Sequence, residues 1–174
     1  MRLHTARLDL IAATLEHLQT ELAAPDQLGS LLGAEVPADW PAGEYDTGAM
    51  EFFRDRLEEG GAPVVGWYGW YAIHRDSSPA TLVGSAGYLG PPSPDGEVEI
   101  GYSLLPASRG HGYATEMTAA LVDRAFADPR VQRVIAHTDK DNQASMRVLE
   151  RCGFRLIGEG GEPGSLRFEQ VKRT

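Results

Sequence analysis

The spacing of apolar residues along this chain changes several times, and each change marks an element. Arg7 to Ile11 alternates until Leu10 and predicts a short strand. Thr14 stands where a helix cap belongs, ahead of a helical stretch from Leu15 to about Ala24 that Pro25 stops. Residues 25 to 48 are rich in Gly, Pro and Ala and predict a loop with short helical pieces, such as Leu28 to Leu32. Met50, Phe53 and Leu57 share one face of a helix from Met50 to Glu58, which Gly60, Gly61 and Pro63 end.

Three extended segments come next: Val64 to His74, Thr81 to Leu89 and Gly96 to Leu105. The breaks between them, Asp76-Ser-Ser-Pro79 and Pro91-Pro-Ser-Pro-Asp-Gly96, have turn chemistry, and such short connections favour an antiparallel meander. Met117, Ala120, Leu121 and Ala125 then mark an amphipathic helix over Tyr113 to Ala127. A strand is expected over Val131 to Thr138 and a second helix over Asn142 to Arg151, closed by Gly153. Late strands follow at Phe154 to Ile157 and Leu166 to Val171. This order predicts an α+β or α/β fold with a mixed sheet.

At 174 residues the chain suits a single domain spanning 1–174, which buries roughly 70% of its unfolded surface without disulfides or structural metal. Its one cysteine, Cys152, excludes an intrachain disulfide and fits a reducing, cytoplasmic setting. No run approaches the ~20 apolar residues of a membrane span. Arg2, Arg7 and Asp9 interrupt the first ten residues, so no signal peptide is expected. The 25 acidic residues outnumber the 16 Lys and Arg, giving −9. This balance disfavours nucleic acid and anionic membranes and favours a cationic partner, such as an amine or a basic peptide. An anionic ligand has to bind against that field through local donors.

One loop supplies such donors. In Glu97-Val-Glu-Ile-Gly-Tyr-Ser-Leu-Leu-Pro-Ala-Ser-Arg-Gly-His-Gly-Tyr-Ala-Thr-Glu116 a strand ends, a tight glycine loop follows and a helix begins. Gly110 and Gly112 admit close backbone approach, and the free N–H groups of the helix start favour an anion. Arg109 adds a charge. Gly110-x-Gly112 alone suits a plain tight turn equally well. A dinucleotide-binding fingerprint is the competing phosphate motif, but its third position wants Gly or Ala where Thr115 stands.

Arg109-x-x-Gly112-x-Ala114, within this longer string, resembles the acetyl-CoA-binding signature of the GNAT superfamily of N-acetyltransferases. Asn142-x-x-Ser145, with Leu149-Glu150 and Gly153-Phe154, resembles its second signature. Thr5 to Leu10 and Ala38-Asp-Trp-Pro41 resemble the branch related to ribosomal-protein N-terminal (alanine) acetyltransferases. The resemblance is strongest over 97–154, the expected acetyl-CoA-binding core, and weakest over 20–60, which in the family shapes the acceptor pocket.

The resemblance implies a mostly antiparallel mixed sheet, flanked by helices and splayed between the strands at 97–105 and 131–138, with acetyl-CoA in the splay. It implies backbone contacts from Leu104 and Leu105 to pantetheine. Arg109, Gly110, His111, Gly112, Tyr113 and Ala114 would hold the pyrophosphate, and Asn142 and Ser145 would lie near the thiol end. Direct transfer to a primary amine, on a protein N-terminus or a small molecule, is the implied reaction, in a monomer or homodimer. The same fold also serves an acyl-CoA-binding module with little catalysis.

Glu99 is the expected base, because its counterpart in many GNAT enzymes works through a water. Glu97 shares its face by alternation, and both also read as solvated surface carboxylates. Many GNAT enzymes carry a tyrosine seven residues after the Asn, as proton donor to the thiolate. Leu149 stands there, which shifts that role to Ser145, a residue that also suits bonding back to its own helix. His4, His17 and His74 lack metal-ligand spacing, and no metal is expected. His111 is placed to touch phosphate or to pack at the surface, and Cys152 reads as a packing residue. Trp67, Tyr68, Trp70 and Tyr71 read as sheet packing, with one ring or Trp40 available to line the acceptor pocket.

Overall fold

The computed structural model describes all of residues 1–174. Eight strands form one mixed sheet, flanked by five helices. In chain order they are β1 (Arg2–His4), β2 (Leu8–Ala12), α1 (Leu15–Ala23), α2 (Leu28–Leu32), α3 (Thr47–Gly60), β3 (Gly69–His74), β4 (Thr81–Tyr88) and β5 (Glu97–Leu104). Then come α4 (Tyr113–Ala127), β6 (Arg133–Asp139), α5 (Gln143–Arg151), β7 (Arg155–Glu159) and β8 (Ser165–Val171). The spatial order is β1-β2-β3-β4-β5-β6-β8-β7. Every neighbouring pair is antiparallel except β5 with β6. No helix is long and apolar enough to cross a membrane.

Local chemistry explains the element ends. Thr14 caps α1, its Oγ1 accepting the His17 N–H at 3.3 Å while His17 Nδ1 accepts the Thr14 N–H at 3.0 Å. This is a reciprocal capping box with His in the place of the usual Glu or Gln. The helix stops at Ala23, and Pro25 opens a 3₁₀ turn. Strand β3 starts at Gly69, later than the Val64 its β-branched composition suggested. Residues Ala62–Val64 form a 3₁₀ turn, and Gly66 at φ 89° bends the chain before the strand can begin. Strand β1, too short to show a period, joins the sheet edge through β2.

Alternation along β3 divides the core. Trp70 and Ala72 join one cluster with Met117 and Leu121 of α4 and Leu149 of α5. Tyr71 and Ile73 face the other cluster, with Leu18 of α1 and Met50, Phe53 and Leu57 of α3. Both faces of the middle strands are thus buried, as a sheet flanked by helices on both faces requires.

The functional consequence lies between β5 and β6. Their parallel register runs only through Glu97–Arg133, Val98–Val134 and Glu99–Ile135. Beyond Glu99, β5 continues to Leu104 paired with β4 alone, and the sheet splays. The helix α4, crossing between two parallel strands, and the helix α5 flank this opening.

Candidate active site

The loop that follows β5 approaches the splay with its backbone. Gly110 and Gly112 have φ of 79° and 81°, in the left-handed region that glycine favours. A Cβ on Gly110 would meet nothing within 4 Å, and one on Gly112 would lie 3.3 Å from Arg7 Nη2. Gly112 is the N-cap of α4 and no side chain caps that end. None of the backbone N–H groups from Gly110 to Thr115 donates to another group of the chain. Thr115 Oγ1 in the first turn is buried and also without a partner. Six N–H groups at a helix N-terminus therefore fit a pyrophosphate. Arg109 is exposed and forms no ion pair, so its charge is available.

Strand β5 offers backbone groups as well. The Leu105 N–H donates to Val83 O at 3.0 Å, which makes Leu104 and Gly84 a non-hydrogen-bonded pair and turns the Leu104 N–H and C=O toward the splay. Leu105 itself is spent inside the chain, since its C=O accepts from Ser108 N–H at 2.9 Å. Of the two leucines expected at pantetheine, Leu104 has the free groups.

Across the splay, Asn142 caps α5 by accepting the Ser145 N–H on Oδ1 at 3.1 Å. Ser145 Oγ does not bond back to its helix. It lies 2.8 Å from the hydroxyl of Tyr102, which also reaches Ser145 O at 3.2 Å. Tyr102 extends from β5 to α5, and burial pushes its phenol up to about 12 against the lowering effect of the Ser145 bond. It holds its proton at neutral pH. Leu149 is fully buried in the core.

The opposite face of β5 carries the carboxylates. Glu97 accepts from Arg133 Nε at 2.9 Å and Arg167 Nη2 at 2.8 Å. Burial opposes its ionisation, but the two arginines outweigh burial and hold it below the usual carboxylate range. A carboxylate so paired is a poor base. Glu99, two residues on, instead bonds His137 Nδ1 at 2.8 Å, with both side chains about 30% exposed (31% and 30%). Strand alternation puts Glu97 and Glu99 on one face, and their different partners separate their roles. His137 and Tyr102 are the two groups that local sequence did not single out. Only the register of β5 against β6 and α5 brings them to Glu99 and Ser145.

The remaining candidates have structural places. Cys152 Sγ lies 3.5 Å from Thr115 O, and burial pushes its thiol up to about 11. Both fit packing and disfavour a thiolate nucleophile. Trp67 and Trp70 stack with the Arg124 guanidinium at 4.7 and 5.3 Å. Tyr71, Tyr45 and Trp40 converge on buried Glu21, at 2.5 and 3.0 Å to Oε2 and 2.9 Å to Oε1. No group of three or more His, Cys, Asp or Glu side chains is arranged to hold a metal ion.

The family model described as the acetyltransferase (GNAT) domain matches residues 7–155. The chain belongs to the GNAT acetyltransferase family. Family membership makes it an acetyl-CoA-dependent acyltransferase. An uncharacterized N-acetyltransferase of Bacillus subtilis, YjdG, is 29% identical over 160 residues, covering 92% of this chain and 93% of its own. Among solved structures, the GNAT fold here is similar to RimL, a ribosomal L7/L12 α-N-protein acetyltransferase in complex with coenzyme A. The TM-score is 0.67 at 19% identity, over 98% of both chains. It is also similar to the ribosomal-protein-S5-alanine acetyltransferase of Vibrio fischeri, with a TM-score of 0.66 at 15% identity over 98% and 96% of the two chains. The splayed, mostly antiparallel sheet expected of a GNAT protein is present.

Proposed function

We propose that this GNAT protein moves the acetyl group of acetyl-CoA to a primary amine by direct transfer in a ternary complex. The observation that carries the reading is the row of unpartnered N–H groups from Gly110 to Thr115 at the splay, with a Glu99–His137 pair and a Tyr102–Ser145 pair on either side of β5. Acetyl-CoA supplies an activated thioester carbonyl, which passes to the amine nitrogen as the thiol is released.

In this reading residues 109–114 hold the pyrophosphate, Leu104 holds pantetheine by its backbone, and Asn142 fixes the start of α5 and with it Ser145. From its ammonium form the amine loses one proton to the Glu99–His137 pair, which passes it to solvent, and a second to solvent as the C–N bond forms and the C–S bond breaks. Ser145 delivers a proton to the departing sulfur and regains one through Tyr102, which is re-protonated from solvent. A peptide α-amine, with pKa about 7.7–8.0, costs about 1–1.4 kcal/mol to deprotonate at pH 7, against about 4.6 for a lysine side chain. A base half-open to solvent is therefore sufficient for an α-amine. The similarity to RimL and the S5-alanine enzyme, and the formal net charge of −9, support a protein N-terminus or another cationic amine as acceptor.

The test is a screen of peptide N-termini, amino acids, polyamines and lysine peptides, scored by thiol release and by the mass of the acetylated amine. One acetyl group appearing on the amine for each thiol released supports the reading. Acetyl-CoA binding with no acetylated amine would favour an acyl-CoA-binding module.

A further inference from the structure

We propose that Arg7 is a positioning residue for the anion-binding loop, acting from the other end of the chain to hold residues 111–116 in their open shape. The proposal rests on the reading of that loop as the pyrophosphate site. Three independent contacts carry it. Arg7 Nη1 donates to the His111 C=O at 2.7 Å, fixing the peptide between the two glycines. The guanidinium stacks over the Tyr113 ring at 4.6 Å, at the first residue of α4. Nε and Nη2 each reach Glu116 Oε2 at 2.8 Å, while the Arg7 N–H donates to Oε1 at 2.7 Å. One side chain thus ties the loop, the helix start and the first helical turn together.

Glu116 makes the brace more than mechanical. A carboxylate in the first turn of α4 competes with an anionic ligand for the positive field of the helix start. Arg7 forks onto that carboxylate, and Thr5 Oγ1 donates to it at 2.5 Å. The unfavourable charge is therefore paired and taken up by Arg7 and Thr5. The turn that presents Arg7 is itself fixed, because Arg75 donates to Leu8 O at 2.8 Å, Thr5 O at 2.7 Å and Ala6 O at 2.9 Å. The line of support runs from the end of β3, through the β1–β2 turn, to the loop.

The experiment compares two probes on folded protein: acetyl-CoA, which carries the pyrophosphate, and S-acetylpantetheine, which does not. Arg7→Ala should weaken acetyl-CoA binding by about tenfold or more, equivalent to about 1.4 kcal/mol, and leave S-acetylpantetheine within about twofold. Adding Glu116→Gln to Arg7→Ala should recover part of the loss, since the exposed carboxylate is then gone. Arg7→Lys keeps a charge without the fork, should lie between wild type and Arg7→Ala, and carries the test where the alanine variant does not fold. Equal weakening of both probes would mean general destabilisation and overturn the proposal, as would unchanged acetyl-CoA affinity. Wild-type protein that does not bind acetyl-CoA would overturn the pyrophosphate reading first, and is seen before any substitution is made.

Discussion

Glu99 of β5 and His137 of β6 share a 2.8 Å hydrogen bond just where their strands part. Glu99 is the last position of β5 paired with β6, opposite Ile135, and His137 lies two residues further along β6 on the same face. If the pair takes the amine proton as a unit, Glu99→Gln should lower kcat/KM by about 10²–10⁴-fold, the usual span of general-base catalysis. The loss should shrink as pH rises and neutral amine becomes abundant. His137→Gln should lower it as well, and the double variant should be little worse than Glu99→Gln alone, because the two act on one proton. Steady-state pH–rate profiles of the three variants check this. Near-normal turnover of Glu99→Gln at neutral pH would remove Glu99 from the mechanism.

Much of this arrangement was legible in the sequence, and the rest was not for a physical reason. Helix α4 was expected at Tyr113–Ala127 and has those bounds, because Gly112 and the apolar period fix its start and face locally. The Thr14 cap and the stop at Pro25 are equally local. The splay came from the family resemblance, and the parallel pairing of β5 with β6 is seen only in the assembled sheet. Partners that depend on register were not readable. Tyr102 meets Ser145, and Arg7 meets Glu116, only after the sheet and helices assemble. No spacing in the chain announces either pair.

The glycine loop acts through its backbone, so Gly112→Val should harm acetyl-CoA binding more than Arg109→Ala. A β-branched residue is strained at φ 81°, and its Cβ would press on Arg7 Nη2 at 3.3 Å, disturbing the brace as well. Removing Arg109 takes away one exposed charge and leaves the N–H groups in place. Calorimetric Kd values for both folded variants decide the order. The reverse order would mean that the loop binds by side-chain charge.

Ser145 and Tyr102 should affect the acyl-transfer step more than donor affinity. Ser145→Ala should lower kcat by about tenfold or more, within the range of a lost proton donor, and without rescue at high pH. Tyr102→Phe should lower kcat less, because Ser145 keeps its hydroxyl. The Tyr102 phenol, pushed up to about 12, stays protonated across the assay range. A Tyr102→Phe variant slower than Ser145→Ala would make Tyr102 the direct donor. Rapid-quench measurement of acetyl transfer separates this step from binding.

Glu21 gives a pH prediction for stability. Burial raises its pKa more than the hydrogen bonds from Tyr71, Trp40 and Tyr45 lower it, so the folded state holds the proton to higher pH than the unfolded state. Below the unfolded value, about 4.3, both states are protonated and the group is neutral in the balance. As pH rises through that value the unfolded chain ionises first, and the contribution of Glu21 to stability falls until its folded pKa is passed. Thermal melts of wild type and Glu21→Gln from pH 4 to 8 should therefore show the variant gaining on wild type as pH rises. A gap that moves the other way would mean that the three donors outweigh burial.

The central claim is that the loop from Gly110 to Thr115 binds the pyrophosphate of acetyl-CoA, and ligand-induced stabilisation reads it with no acceptor required. A ligand that binds only the folded state adds about 2.7 kcal/mol at 100 times its Kd. For a chain of this size that raises the melting temperature by roughly 5–11 °C. Melting should rise by this amount with acetyl-CoA and CoA and stay unchanged with NAD. No shift with acetyl-CoA beside a clear shift with NAD would contradict the account and make the glycine loop a dinucleotide site.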